Sequence, residues 1–352
     1  MPRIGAAESN SNFFKEGTMR KALLEVKNLS VEYNIARGKL NAVSAVDFTI
    51  HKGEFFGLAG ESGCGKSTIA FAIMRLLKGQ ATVSGGEAIF HGKNILSFTD
   101  EELRLFRWDK TSMVLQSAMN NLNPVVTIGS QLCDAITAHR DVSVKEAIKK
   151  AKELLGLVNI DQNRIGAFPH ELSGGMRQRV VIAMAMALEP ELIVFDEPTT
   201  ALDVVVQYNI IKKIIQLKNQ MGFSIMFITH DLPLMLEICD RIGIMYAGKM
   251  VELSPVQELK IGARHPYTRG LMRAFPSLLG EKVKISGIPG SVPDLVTPPS
   301  GCLFYPRCSE GEEICGQVCP EFKSLGNGHF CACHFSDRNQ YGKKTGAANA
   351  QD

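Results

Sequence analysis

Glu54-Phe-Phe-Gly-Leu-Ala-Gly60-Glu-Ser-Gly-Cys-Gly-Lys-Ser-Thr68 is the stretch that decides the fold. Its first part, Glu54 to Ala59, is an apolar run behind the turn pair Lys52-Gly53 and predicts a buried strand. Its second part carries the spacing Gly-x4-Gly-Lys-Ser, and Ser67 to Leu77 continues it at helical spacing. A glycine-rich loop between a strand and a helix is the context of a phosphate-binding loop. Gly60, Gly63 and Gly65 let backbone N–H groups curl around a phosphate without a Cβ in the way. The helix N-terminus adds positive potential. Lys66 can reach the β- and γ-phosphates, and the Ser67 hydroxyl can ligate Mg2+. Ser62 and Thr68 complete the candidate ATP contacts. Cys64 is a small residue that fits the loop, where a thiol reagent would block nucleotide. The plainer reading, a chance glycine-rich turn, does not account for the flanking strand and helix.

Downstream, Leu192-Ile-Val-Phe-Asp-Glu197 reads as an apolar strand ending in two acids. A carboxylate at the C-terminal edge of a strand beside a phosphate site suits a Mg2+ ligand, which points to Asp196. Glu197 is then the candidate to polarise a water for attack on the γ-phosphate. Leu172-Ser-Gly-Gly-Met-Arg-Gln-Arg179 precedes a helix expected over Arg177 to Leu188. Ser173 is a natural N-cap, and Gly174 and Gly175 expose backbone N–H groups. This is a second anion site without its own lysine. Strands at Leu23–Tyr33, Ala45–Ile50 and Ser224–Ile228 alternate with helical patterns, and a helical region is expected from Thr127 to about Val158. The class is α/β.

Composition sets the bounds. The chain has 352 residues, 45% hydrophobic and 21% charged, which predicts about two globular domains and excludes bulk disorder. No apolar run approaches the roughly 20 residues of a membrane-spanning helix. Met1 to Asn12 contains no apolar signal core. A net charge of +3 is too weak to argue for nucleic acid. Six of the nine cysteines fall between Cys302 and Cys333, which in a non-exported chain reads first as a metal site. Pro289, Pro293, Pro298, Pro299 and Pro306 mark a separate loop-rich segment after about Pro255.

The phosphate loop, Gln116, Leu172-Ser-Gly-Gly175, Asp196-Glu197, Ala201-Leu-Asp203 and His230, in this order, resemble the ATP-binding subunits of ABC transporters. The likeness runs from about Leu23 to Cys333. It implies a P-loop NTPase core with an antiparallel β subdomain, a helical subdomain and a small metal-binding C-terminal extension. The resemblance further implies that two such domains sandwich two ATPs head to tail. Ser173, Gly174 and Gly175 of one would face the γ-phosphate held by Lys66 of the other. Gln116 would touch Mg2+ and the attacking water. His230 would contact the γ-phosphate and hold the water and Glu197. Asp203 would lie at the dimer seam. Tyr33 would stack on adenine, against the plainer reading of a core or strand-edge tyrosine. Met176 stands where many relatives carry Gln, and the peptide-transporter branch tolerates it.

The segment from His265-Pro-Tyr267 to Cys333 is similar to the C-terminal extension of the oligopeptide, dipeptide and nickel transporter ATPases. That resemblance implies a [4Fe–4S] cluster on Cys302, Cys308, Cys315 and Cys333. Cys319 is an alternative ligand and Cys331 exceeds the pattern. Zn2+ on four thiolates is the rival, and disulfides or free thiols remain open.

The expected organisation is a leader over 1–20 and an ATPase domain over 21–255, with a helical subdomain at about 117–172. The extension follows over 256–336 and a tail over 337–352. The expected function is ATP hydrolysis that powers import of di- or oligopeptides. The partners implied are a second ATPase subunit (self or a paralogue), two transmembrane permeases and, indirectly, an extracytoplasmic binding protein, on the cytoplasmic face of the membrane. Nickel import, a soluble ABC ATPase acting on nucleic acid or ribosomes, and a metal-binding regulator with a dead ATP site are the alternatives. Intact Lys66 and Glu197 speak against the last.

Overall fold

The computed structural model describes residues 20–116, 121–200, 202–274 and 287–338. All of the expected leader but Arg20 lies outside them, as do Ala201 and the tail beyond residue 338. In chain order, β1 (Ala22–Ile35) and β2 (Gly38–His51) form a hairpin, and β3 (Phe55–Ala59) leads through the glycine loop into α1 (Lys66–Ile73). There follow β4 (Ala81–Phe90), β5 (Lys93–Asn94), α2 (Asp100–Phe106) and β6 (Thr111–Val114). Next come α3 (Ile128–Thr137), α4 (Val144–Leu157), α5 (Gly174–Ala185), β7 (Leu192–Asp196), α6 (Val204–Met221) and β8 (Ser224–Ile228). The chain continues with α7 (Leu232–Ile238), β9 (Arg241–Tyr246), β10 (Lys249–Pro255), α8 (Val256–Gly262) and α9 (Pro266–Ala274). Its last described elements are α10 (Glu313–Gln317), β11 (Lys323–Ser324) and β12 (Phe330–Cys331).

One sheet has the order β11-β12-β10-β9-β3-β8-β7-β6, with β9, β3, β8, β7 and β6 parallel and the remainder antiparallel. A second, antiparallel sheet has the order β2-β1-β4-β5. The period of two along the parallel strands sorts their side chains between two cores. Phe55, Ile193, Phe195, Ile225 and Phe227 face the core shared with α3, α4, α5 and α6. Phe56, Leu58, Val194, Met226 and Ile228 face the core shared with α1 and the antiparallel sheet. Each such side chain, buried on a strand with both faces covered, contributes roughly 1.5–3 kcal/mol. This double burial is why the strands read as continuous apolar runs.

Three expectations change. The helix expected to run to Leu77 stops at Ile73, because Arg75 takes a left-handed φ of 50°. The N–H of Leu76 then bonds the Phe71 carbonyl at 2.7 Å and that of Arg75 bonds Ala72 at 3.0 Å, a Schellman closure on a non-glycine residue. The helical region expected over 127–158 is two helices. Ser143 and Glu146 form a capping box that starts α4 anew, and the pattern Ser-x-x-Glu was present in the sequence. Finally, the helix expected from Arg177 starts at Gly174, on the Ser173 cap.

The segment after Pro255 is not separate either. β12 pairs with β10 through Glu252 opposite Cys331 and Leu253 opposite Phe330, so the extension lengthens the main sheet. Behind that pairing, Glu252 is fully buried. Its carboxylate accepts from the N–H of Arg264 (2.6 Å) and of His265 (3.1 Å), and lies 2.7 Å from His329 Nε2. Burial alone would raise the Glu252 carboxyl, but these partners, His329 foremost, hold it below the usual range. The carboxylate therefore staples two segments of the extension to one strand. Glu252→Gln would turn an NH2 toward groups that already donate. We expect it to cost about 2–4 kcal/mol, read as a lower Tm and faster proteolysis within the extension; an unchanged Tm would remove the carboxylate as the staple.

Candidate functional site

The parallel strands β3, β8, β7 and β6 are neighbours, and the C-terminal end of each delivers a candidate residue. Gly60 follows β3, His230 follows β8, Asp196 and Glu197 close β7, and Gln116 follows β6. Ligands of open α/β sheets bind at this edge, where strand order turns about its first parallel strand. The candidates dispersed over 170 residues of sequence are thus brought together by parallel pairing.

The loop is shaped by its glycines. Gly60 and Gly65 have φ of +151° and +103°. A Cβ on Gly60 would lie 2.3 Å from the Met245 carbonyl oxygen, and one on Gly65 2.4 Å from that of Ala42. Lys66 is 5% exposed. Its Nζ donates to the carbonyls of Gly60 (2.8 Å) and Glu61 (2.9 Å) and lies 3.6 Å from Cys64 Sγ. Cys64 is buried beneath the loop, and burial pushes its thiol up, which keeps it neutral next to the ammonium. Ser62 and Gly63 are exposed on the loop, and Thr68 is half-buried in the first turn of α1.

Ser67 Oγ donates to Asp196 Oδ1 at 2.9 Å. Asp196 is almost fully buried, and burial raises its carboxyl while the Ser67 hydroxyl lowers it. Two oxygens this close, beside a phosphate loop, are of the kind that would hold a Mg2+. Glu197 is the hub. Gln116 Nε2 and Thr200 Oγ1 donate to its Oε2 at 2.9 and 3.0 Å, and His230 Nδ1 lies 3.3 Å from its Oε1. Its backbone has a left-handed φ of 45°, which a glutamate adopts only where the surroundings enforce it.

Ser173 and Asp203 sit apart from this hub. Ser173 is exposed and caps α5, its Oγ accepting from Met176 N at 3.3 Å. Gly175 packs against α6, where a Cβ would lie 2.7 Å from Val206 Cγ1. Gly174 is part-exposed beside it. Among the described residues no hydrogen bond joins this helix end to the phosphate loop. Asp203 caps α6, accepting from Val205 N and Val206 N, with Val204 and Val205 exposed alongside. Tyr33 lies on β1 opposite Leu40 and Ala81, half-buried against the core of the antiparallel sheet.

Sequence reasoning missed Thr200, Glu61, Tyr267 and Arg307. Thr200 follows Glu197 by three residues, a spacing that could have flagged it. The others are joined only by the fold, as shown below.

The geometry matches known proteins. A family model described as ABC transporter matches residues 43–200, and one described as oligopeptide/dipeptide transporter, C-terminal region, matches residues 251–315. The chain is 44% identical to a probable peptide ABC transporter ATP-binding protein, y4tR, of Sinorhizobium fredii, over 88% of this chain and 94% of that protein. It is 39% identical to the dipeptide transport ATP-binding protein DppD of Bacillus subtilis, over 90% and 95% of the two chains. This chain belongs to the ABC transporter ATP-binding proteins of the oligopeptide/dipeptide branch. Among solved structures, the dimeric post-hydrolysis state of the ATP-binding cassette MJ0796 bound to ADP and Pi is 30% identical. The TM-score is 0.59, over 66% of this chain and 99% of that one. Among the described residues no helix of this ABC protein is long and apolar enough to cross a membrane.

The metal-binding character expected of its extension is not supported in the same way. Among the described residues no group of three or more His, Cys, Asp or Glu is placed to hold a metal ion. A single tetrahedral Zn2+ needs sulfurs about 2.3 Å from the ion, hence about 3.8 Å from each other, and that arrangement is lacking. Cys302, Cys308, Cys315 and Cys333 do line one cavity, floored by Phe304 and Phe335. Cys319 and Cys331 do not line it. Cys319 is exposed, its Sγ 3.1 Å from Lys249 Nζ, and Cys331 is buried in β12. Burial pushes the Cys302 thiol up to about 11 and raises Cys308 and Cys333 as well.

Gly65→Ala puts a Cβ against a backbone carbonyl at a left-handed φ, so the loop cannot close on β2. We expect loss of MgATP binding with a stability cost of about 1–3 kcal/mol, checked by equilibrium nucleotide titration and thermal unfolding; retained binding would show that the loop tolerates another path.

Proposed function

We propose that this chain is the ATP-hydrolysing subunit of a di- or oligopeptide importer. It works on the cytoplasmic face of the cell membrane with a second ATPase subunit, identical or a paralogue, and two transmembrane permeases. An extracytoplasmic binding protein delivers the cargo. The names of the relatives, with the match of both the ATPase region and the C-terminal region, support the cargo class over nickel and over nucleic acid.

The observation that carries the chemistry is the hub on Glu197, next to the Ser67–Asp196 pair and Lys66. Lys66 leaves the carbonyls of Gly60 and Glu61 for the β- and γ-phosphates, exchanging two neutral acceptors for anionic ones. The Gly63 and Gly65 backbone lays its N–H groups against the same oxygens. Ser67 and Asp196 would hold Mg2+, which would neutralise charge on the phosphates. Glu197 accepts a proton from water as that water attacks the γ-phosphate, giving ADP and phosphate. Gln116 and His230, each already hydrogen-bonded to Glu197, fix the line of attack. Thr200 holds the carboxylate's other lone pair.

The exposed Ser173 end of α5, with no hydrogen bond to its own loop among the described residues, supports a role toward the partner's nucleotide. Asp203 with exposed Val204 and Val205 suits a seam there: hydrophobic side chains beside a charged cap gain by being covered. Tyr33, half-buried on β1, remains the adenine-stacking candidate.

For the extension we propose a [4Fe–4S] cluster on Cys302, Cys308, Cys315 and Cys333. Its support is the one cavity that these four line. A four-iron cluster spreads its thiolates further apart than one ion does.

Glu197→Gln is expected to cut ATP turnover by roughly 10²-fold or more while MgATP binding persists, whereas Lys66→Ala abolishes binding. Turnover per chain should rise with protein concentration or with the partner; full turnover in Glu197→Gln would sink the base assignment. Protein purified without oxygen should be brown and carry iron and acid-labile sulfide in matching amounts, lost in Cys302→Ser; colourless protein holding zinc would overturn the cluster.

A further inference from the structure

The loop residue with no assigned role, Glu61, is held at each of its polar groups. Its carbonyl accepts from Lys66 Nζ, as described. Its N–H donates to the hydroxyl of Tyr267, on α9, at 2.9 Å. Its carboxylate is gripped at both oxygens by Arg307, Nη1 to Oε2 at 2.8 Å and Nη2 to Oε1 at 3.0 Å. These partners are 206 and 246 residues away in sequence, in the C-terminal extension.

The grip is built rather than incidental. The Arg307 side chain is 5% exposed. Its Nε donates to the Pro289 carbonyl (2.9 Å) and its Nη2 also to that of Ile288 (3.2 Å). The guanidinium lies over the Tyr246 ring at 5.6 Å. Tyr246, Tyr267 and Phe304 pack against each other with centroids 4.7–5.4 Å apart, so both partners of Glu61 stand on one aromatic cluster. Bidentate pairing fixes the direction of the carboxylate as well as its place. A planar fork with this many fixed acceptors has no other rotamer to take.

We infer that Arg307 and Tyr267 are positioning residues for ATP binding. This deepens the function proposed above and rests on it. A carboxylate inside a phosphate loop opposes the triphosphate. Arg307 neutralises that charge and holds it off the loop's inner face, while Tyr267 fixes the first peptide whose carbonyl Lys66 uses. The C-terminal extension thereby sets nucleotide affinity through the phosphate loop.

The test is steady-state ATPase kinetics and equilibrium MgATP binding on the full chain. Arg307→Met should raise KM and the MgATP Kd about tenfold or more, with kcat changed far less. Glu61→Gln in that background should recover part of the loss, because the unpaired charge is gone. A merely structural Arg307 would give no such rescue. Tyr267→Phe, which removes one oxygen from a packed ring, should raise KM with Tm little changed, and stands in if Arg307→Met does not fold. Lys323→Ala, which breaks an exposed pair with Asp337 away from the loop, should leave KM as it is. Unaltered KM in Tyr267→Phe and Arg307→Met, or no recovery in the double variant, overturns the inference. So does a matching rise in Lys323→Ala. Wild-type protein that binds no MgATP would overturn the ATPase reading and the positioning role with it.

Discussion

A single hydroxyl-to-carboxylate hydrogen bond, Ser67 to Asp196, closes a span of 129 residues and holds the first turn of α1 against the end of β7. The rest of the catalytic edge is arranged around it. β7 places Asp196 deep enough to lose water, which is costly for a carboxylate and bearable only beside a donor or a cation. It then releases Glu197, the next residue, to the surface side, where Gln116, Thr200 and His230 converge. One strand end thus presents two carboxylates in different settings, Asp196 buried and Glu197 partly exposed. A left-handed φ at Glu197 is the local cost of separating them.

Parallel pairing does the remaining assembly. Because β6, β7, β8 and β3 run the same way, their carboxyl ends meet on one edge whatever lies between them in sequence. The insertions between strands are free to become other things: a helical subdomain that shares the core on one face of the sheet, and the glycine-started helix α5 whose exposed N-terminus stays out of its own site. In the function proposed above, that helix end and the phosphate loop are each completed by a second ATPase subunit.

The C-terminal extension shows how a loop-rich segment acquires a place. Val256, Leu259, Tyr267, Leu303 and Phe304 join it to the main core, and polar anchors fix it further: Glu252 with its backbone and imidazole partners, and Arg307 with Glu61. Each anchor joins the extension to the ATPase core, one at β10 and one at the phosphate loop. Arg307 is also bonded directly to Cys308, so the cysteine loop and the phosphate loop are only one side chain apart.

The strand–glycine loop–helix signal, the two acids after β7 and the Ser173 cap were legible because each is local: spacing, alternation and capping chemistry act over a few residues. The helix ends were legible only in part. Ser143 and Glu146 announced a fresh start for α4, whereas nothing local shows that Arg75 turns left-handed, since that conformation is enforced by packing. Glu61, Tyr267 and Arg307 carry no shared pattern at all. An arginine between a proline and a cysteine reads as loop chemistry until folding sets its fork opposite a carboxylate 246 residues away. The sequence by itself determined what each segment is, because propensity and periodicity are short-range. Only the tertiary structure decided which charges meet, because a salt bridge depends on distance in space and not along the chain.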